Sequence, residues 1–586
     1  MVRLIEWNSM KRTLLTWFCV ALICFAASWA LFRPGMFKIH DFIHGARITE
    51  MTLALQDGHF PARWSKHFGY GYGMPLFEFY APLPYYVGSF LYQLGLPLVT
   101  SVKGLFFLST FVTAVGSYLL GRELFKRRSA GVLTSAAITL APYRALNLFV
   151  RGAVSESWGM MAIPWIAYGI LLSRREKWHG FFVITAAIFV LLTSHNLTSL
   201  IALPFILVFV LAALFVLPQK PKKVADQLRA GARVAAAGVL GFSLSAFYSI
   251  PAFLEKNATQ IETTILSGYF NYSLHFLYIR QFFRPLWGYG GSEWGPDDPI
   301  SFYLGAGQLL ALFLSFTLFL VFIVKKAKKK GILRVVTDSR SSVVMVFAVL
   351  LVLSLFMSLQ RSLFVWNAVP LLAYIQFPWR FLSVSSLFLG VFAGVPILFL
   401  SAKNMRLYTL VLLVVLIGWN TPYFRPESYL ADATGLYYDN GERVAAHMSE
   451  VLPDYIPRGV QVLGLEPPTA PLTCLEPCTY VVEVDRTHER LYRFTAFTTE
   501  RQLVFSIADY PGWKVFADGV EIPHTQSDGG FISADIPAAT ELVGVQFQQT
   551  GVRAFSDGVS LLGCIVLISL LFYQQRTDLF KESVDV

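Results

Sequence analysis

Apolar runs of about 20 residues, each long enough to cross a bilayer as a helix, recur along this chain of 586 residues and are parted by short polar stretches. The pattern predicts spans near residues 13–32, 100–121, 129–148, 156–173, 179–194, 198–217, 232–252, 301–324, 341–359, 378–400, 405–420 and 555–573. The chain therefore reads as a polytopic α-helical membrane protein with about 12 transmembrane helices. The run Pro82–Leu98 is apolar but short and carries Pro82, Pro84 and Pro97, so it reads as interfacial or re-entrant. From Val460 onward the period shortens to two, with strands expected at Val460–Leu465, Tyr480–Val484, Leu491–Phe497, Leu503–Ala508, Trp513–Ala517 and Leu542–Gln548. Asp518-Gly519 signals a hairpin, and this segment reads as a β-sandwich tethered by spans on both sides. The division that follows is a membrane domain over 1–420 with long loops at 33–100 and 252–300, a mostly β domain over 421–554, and a C-terminal anchor with its tail over 555–586.

A hydrophobic content of 55% against 15% charged residues excludes a soluble domain. The net charge of +11 could suggest nucleic acid, but its cations cluster in short loops, Arg122–Arg128, Arg174–Lys177, Lys220–Arg229, Lys325–Arg334 and Lys403–Arg406. Positive loops of this kind stay on the cytoplasmic side, which places both termini inside and the long loops and the β domain outside. Anionic lipids, not nucleic acid, are the partners of this charge. The first apolar run follows Arg3, Lys11 and Arg12 like a signal peptide, yet no small-residue cleavage site precedes Arg33-Pro34, so it reads as a retained anchor. Cys19, Cys24 and Cys564 fall in apolar spans, where cysteine packs as a small hydrophobe. Cys474 and Cys478 lie in the outer segment without further Cys or His at zinc spacing, so a local disulfide is expected there.

This topology gathers costly polar residues on one side of the membrane. Asp41 is expected at the N-cap of a helix Phe42–Gln56, sharing a face with His44, while Arg47 and Glu50 form a neighbouring stripe and Phe42, Ala46 and Leu53 rest on the membrane surface. Arg144, Asn147 and Arg151 recur as one stripe near the outer end of the third span, Glu156 opens the fourth, and His195 sits in the turn after the fifth. Each has an ordinary reading as a cap, a turn residue or an ion pair. Arg380 resists one: after Pro378 it stands at a helix start, where a cation opposes the macrodipole and calls for an anion such as a lipid phosphate. The run Phe68–Gly73 reads as an aromatic belt before a sugar-stacking platform; Tyr70, Tyr72 and Tyr80 are the stacking candidates.

These residues, with Gly71–Phe77, Tyr80–Tyr86, Arg151-Gly152, Ser194–Thr198 and Gln376–Arg380, resemble the bacterial membrane proteins described as 6-pyruvoyl-tetrahydropterin-synthase-related, a label that does not imply pterin chemistry. The layout over about residues 13–420 resembles the GT-C glycosyltransferase superfamily, and Asp509–Trp513 with Asp518-Gly519 is similar to the outer domain of large bacterial membrane proteins of that group. The resemblance implies a glycosyltransferase in which Asp41 matches the catalytic acid, Glu156 a second acid of the outer loops and Arg380 a donor-phosphate ligand. Arg151, Arg144, His195, His44 and Arg47 complete the candidate donor site. The first loop lacks the paired Asp-Asp or Asp-Glu of the best-known members, so a divalent metal has no clear motif and no cofactor is required. The expected reaction is an inverting transfer of sugar from a polyprenyl-phosphate donor to a glycan, lipid or protein acceptor of the cell envelope, with Asp41 as general base. The alternatives are a flippase of lipid-linked saccharide and a non-catalytic assembly protein of the envelope glycan.

Overall fold

The computed structural model describes residues 2–175, 177–221, 223–330, 335, 338–430, 439–447, 454–495 and 498–584. The end of the expected strand at 496–497 and the end of the basic loop at 331–334 lie outside these residues. Among the described residues, nine helices are long and apolar enough to cross a membrane: Met10–Phe32, Leu98–Phe125, Asn196–Phe215, Val224–Leu254, Ala306–Lys329, Ser339–Ser358, Pro378–Leu398, Ala402–Tyr423 and Gly551–Arg576. The chain is thus a polytopic helical membrane protein.

The other three expected spans take different forms. The run 129–148 divides into Arg128–Thr139 and Pro142–Phe149. Pro142 causes the break, because it has no N–H to continue the first helix and instead starts the second. Val154–Ser173 is one helix buried over most of its length, and Trp178–Ser194 is a shorter apolar helix. Within Pro82–Leu98, the helix Leu83–Gln93 has 11 residues, about 16 Å at 1.5 Å per residue, roughly half the hydrocarbon thickness.

The helix of the first loop runs from His44 to Gln56 and differs from the expected surface helix. Its N-cap position is Ile43, so Asp41 stands in the turn before it, and Ala46 is fully buried instead of resting on a membrane surface. The reason is that both sides of this helix are covered. Thr52 hydrogen-bonds Ser89 of Leu83–Gln93 at 2.9 Å, and Glu50 accepts from Ser65 at 2.6 Å and pairs with His67 at 2.7 Å.

Among the described residues the C-terminal region holds nine strands: β1 Leu472–Cys474, β2 Tyr480–Asp485, β3 Glu489–Phe494, β4 Arg501–Ala508, β5 Trp513–Ala517, β6 Val520–Ile522, β7 Thr525–Gln526, β8 Phe531–Ile536 and β9 Leu542–Phe547. They form two antiparallel sheets, β1-β4-β8-β7 and β2-β3-β9-β5-β6, whose inner faces meet through contacts such as Tyr492 on Phe505 at 5.8 Å. The alternating burial of β5 puts Trp513, Val515 and Ala517 inside, as a half-buried strand requires. Asp518 and Gly519 both have positive φ, 45° and 83°, the geometry of a two-residue type I′ hairpin between β5 and β6. The expected strand Val460–Leu465 is irregular in the structure, with a single turn at Leu463-Gly464. Cys474 and Cys478 form a disulfide.

This β region sits on the first loop. Tyr72 stacks on Phe531 with centroids 4.1 Å apart and its carbonyl accepts from the Ala508 N–H at 2.9 Å. Trp64 packs edge-on against Trp513 at 5.3 Å, and the Asp57 carboxylate accepts from the Thr487 N–H at 2.6 Å. Tyr72 is therefore a seat for the β domain, with one face of its ring taken up by Phe531.

Candidate functional site

The loop carrying Asp41 is held by backbone pairing. The N–H groups of His40 and Asp41 donate to the carbonyls of Val150 and Arg151 at 3.0 and 2.9 Å, so the acid is fixed against the Arg151-Gly152 corner. Gly152 has φ of +68°, and a Cβ there would lie 2.6 Å from the side chain of Ile39. Gly152→Ala is therefore expected to cost about 1–3 kcal/mol through backbone strain alone, read as a fall in thermal midpoint.

His44 is fully buried, with Nε2 on the Gly152 carbonyl and Nδ1 3.0 Å from the Tyr85 hydroxyl. Nε2 donates to that carbonyl, and Nδ1 accepts from Tyr85, whose oxygen in turn accepts from Arg47 at 3.1 Å. Burial lowers the His44 pKa and keeps the ring neutral, so it braces the corner without carrying charge. Arg47 is the cation beside Asp41, 3.6 Å from Oδ2, and its guanidinium lies 3.7 Å over the Tyr80 ring. The Asp41 side chain remains 33% exposed, enough to meet a ligand.

Glu156 has a different setting. It is 2% exposed, paired with Arg151 at 2.7 Å and with Arg380 at 3.6 Å, and its other oxygen accepts from Tyr143 and from Asn147. With both oxygens engaged, Glu156 anchors two arginines behind the cavity wall, which it does not itself line. Arg380 is further held by a classic γ-turn. Gln376 has φ 64° and ψ −46°, and the Phe377 N–H reaches the Ile375 carbonyl at 2.7 Å. Arg380 Nη1 donates to that same carbonyl at 2.8 Å and to the Gln376 side chain at 3.0 Å. This rare, strained turn aims the guanidinium, and strain of this kind concentrates at functional sites.

A cavity of about 740 Å³ opens over these groups. Asp41, Arg47, Tyr80, Arg151, His195 and Arg380 line it, together with Asp454 and Tyr455. Its walls continue into the apolar side chains Leu192, Leu200, Phe253 and Leu371, of which Phe253 and Leu371 are exposed. His195 caps the next helix: Nδ1 accepts from the Thr198 N–H at 3.1 Å, leaving the proton on Nε2. Burial, reinforced by Arg380 and Arg151 and against the pull of Glu156, pushes His195 down to about 3, so it is neutral in the site. Counting charges around the cavity, Asp41 balances Arg47, while Arg151 and Arg380 share the single carboxylate of Glu156. The Arg151–Arg380 pair thus carries one positive charge more than the carboxylate it shares; of the other charged groups on the wall, Lys256 is paired with Glu262 at 2.8 Å and Asp454 lies near Arg47 and Asp41.

Several expected members stand apart. Arg144 is 1% exposed and does not line the cavity. The helix it occupies ends at Phe149, so Arg151 leaves the expected stripe and turns back to bond Asn147. Tyr70 and Tyr72 also lie outside the cavity lining. Asp454, Tyr455 and Trp379, which stacks with Arg151 at 4.7 Å, were not anticipated from sequence. An acid next to an aromatic in the link before the strands, Asp454-Tyr455-Ile456-Pro457, was the available signal. Among the described residues no group of three His, Cys, Asp or Glu side chains is arranged to hold a metal.

Fold and cavity together define a polytopic membrane protein with a cleft lined by arginines, acids and tyrosines. The chain belongs to the 6-pyruvoyl-tetrahydropterin synthase related family of membrane proteins, whose model matches residues 77–426. It is 24% identical over 314 residues to an uncharacterised protein of Lactococcus lactis subsp. cremoris (strain MG1363), covering 51% of this chain and 48% of that one. The chain thus spans about half the length of that curated relative. Among solved structures it is similar to the arabinofuranosyltransferase AftD from Mycobacteria, with 13% identity over 70% of this chain and 27% of the other and a TM-score of 0.40. It is also similar to the archaeal oligosaccharyltransferase AglB of Archaeoglobus fulgidus in complex with an inhibitory peptide and a dolichol-phosphate, with 13% identity over 75% and 59% of the two chains and a TM-score of 0.42.

Proposed function

We propose that this protein is a GT-C-type glycosyltransferase of the plasma membrane that moves a sugar from a polyprenyl-phosphate donor to a cell-envelope acceptor on the outer face. The observation that carries this reading is the guanidinium pair Arg380 and Arg151, one charge in excess of the carboxylate they share, in a cavity that also holds the partly exposed Asp41 and the exposed apolar side chains Phe253 and Leu371. Arginine pairs bind phosphate through a planar fork, and the apolar side chains Phe253 and Leu371 offer a path for an isoprenoid tail.

In the proposed step an acceptor hydroxyl oxygen attacks the anomeric carbon while the bond from that carbon to the phosphate oxygen breaks. The bonding pair leaves with the lipid phosphate, whose charge Arg380 and Arg151 stabilise. Asp41 takes the acceptor's proton, and the single displacement inverts the anomeric centre. Because the guanidiniums carry the leaving-group charge, the reaction as written needs no cofactor. Glu156 holds the two guanidiniums at the cavity wall, and Arg47 orients Asp41.

The test is incubation of the purified protein with radiolabelled polyprenyl-phosphate hexoses and pentoses. Transfer or release of sugar is expected, and Arg380→Gln should reduce it by about 10²–10³-fold, the usual cost of one charge-stabilising donor. Arg380→Lys keeps the charge but loses the fork, so only part of the rate should return. Movement of labelled carrier across proteoliposomes without turnover of any donor would overturn the proposal in favour of a flippase.

A further inference from the structure

The displacement described above leaves one carboxylate of the cavity unused. Asp454 and Tyr455 reach the cavity from the segment that leads into the β domain, and both line it with Asp41, Arg47 and Tyr80. The segment is pinned in place: the Gln260 N–H donates to the Ile456 carbonyl at 3.0 Å, the Arg458 N–H to Ala258 at 2.9 Å, and the Gln260 side chain to Val460 at 2.7 Å. Tyr455 lies nearly parallel to Phe79, with rings 6.0 Å apart and 6° between planes, and meets Tyr80 edge-on at 6.2 Å. The other charged groups that act on Asp454 are Arg47 and Asp41, so its carboxyl belongs to the same electrostatic cluster as the base. Burial, opposed by Arg47, raises Asp454 to about 7, which lets the group both give and accept a hydrogen bond near neutrality.

Resting on the transferase reading, we propose that Asp454, Tyr455 and Tyr80 form the acceptor subsite and that the acceptor is a saccharide. The C–H face of a sugar ring is apolar and packs on tyrosine, while its hydroxyls need partners of both hydrogen-bonding senses. Asp454 then bonds the hydroxyl next to the one that Asp41 deprotonates, and the two carboxylates set which ring oxygen is presented to the donor. Ligand sites commonly join aromatic walls to a few placed polar groups in this way.

The experiment is saturation-transfer NMR on the full-length protein in detergent, with methyl glycosides of glucose, mannose, galactose and arabinose as probes. Wild type should bind at least one of them, and Asp454→Ala and Tyr455→Ala should each weaken it about tenfold, the equivalent of one lost polar or ring contact. Asp454→Asn, which preserves volume and fold, should weaken it by a smaller factor, and Glu521→Gln on the β5–β6 hairpin should leave it unchanged. In a transfer assay the same glycoside should show a KM about tenfold higher with Asp454→Ala. Equal binding by wild type, Asp454→Ala and Tyr455→Ala, or binding of no glycoside by wild type, would overturn the inference. Donor turnover onto a peptide or lipid with no glycoside bound would sink the saccharide subsite alone. Glycoside binding with this mutational pattern but no turnover of any lipid-linked donor would sink the transferase reading alone.

Discussion

Asp41→Asn is expected to reduce sugar transfer by about 10²–10⁴-fold, the range that removal of a positioned general base produces. Asparagine matches aspartate in size and keeps an acceptor oxygen near Arg47, but it cannot take the proton of an attacking hydroxyl. The folded state should change less than in Glu156→Gln, because the ion pair it breaks is long at 3.6 Å, Asp41 is one-third exposed, and Arg47 keeps its contacts with Tyr85 and Tyr80. Donor binding should hold as well, since Arg380 and Arg151 take their counter-charge from Glu156. The informative comparison is Glu156→Gln. It leaves two buried guanidiniums without a carboxylate and should lower thermal stability and perturb donor affinity together. Measured side by side, a rate defect with intact melting and donor binding for Asp41→Asn, against a combined defect for Glu156→Gln, separates base from anchor. Full activity in Asp41→Asn would remove Asp41 from the mechanism.

The contrast between these two acids shows what sequence patterning reaches. Periodicity and charge asymmetry locate both near one end of the bundle, because burying a charge in lipid is costly and the positions are few. They do not tell which acid meets solvent. That depends on Pro142, which ends one helix and begins another, and on Gly152, whose left-handed backbone folds Arg151 back toward Glu156 and its carbonyl toward Asp41. A helical-wheel reading assumes an unbroken helix and so placed Arg144 and Arg151 on one stripe. Strands fared similarly. Runs with clean alternation, such as Trp513–Ala517, were found with their hairpin, whereas β1, β6 and β7 have two or three residues each and leave no measurable period. Tyr72 and Asp454 were beyond reach for a different reason. Their roles arise from how the β domain docks on the first loop and how the segment before it crosses the cavity, contacts between residues hundreds of positions apart.

That docking centres on Arg553, and Arg553→Ala is expected to destabilise the protein by about 3–5 kcal/mol, the cost of leaving buried charge without its partner. Four segments converge there. Glu78 of the first loop and Glu255 at the end of Val224–Leu254 lie 3.0 and 2.9 Å from Arg553 Nε, Tyr510 donates to Glu78 at 2.8 Å, and Arg553 itself opens the last helix. Glu78 and Arg553 are fully buried, and the guanidinium lies over the rings of Tyr510 and Phe547. Gly512 is required beside it, since a Cβ at that position would sit 2.6 Å from Arg553 Nη1. Two carboxylates around one cation share a proton: burial and then the hydrogen bond with Glu255 raise Glu78 from 4.5 to about 8, against the pull of Arg553. Between those values the folded chain binds a proton that the unfolded chain has released. The contribution of Glu78 to stability is therefore full below about pH 4.5 and declines as pH rises through 8. Without Arg553 two acids face each other with no cation, so the penalty of Arg553→Ala should grow from pH 5 to pH 8, and adding Glu78→Gln should recover part of it at the higher pH. Thermal unfolding followed by tryptophan fluorescence in detergent at the two pH values decides the matter, with limited proteolysis reporting release of the β domain. A penalty below 1 kcal/mol, or one equal at both pH values, would mean that the aromatic seat of Trp64, Trp513 and Phe547 alone holds the β domain on the first loop.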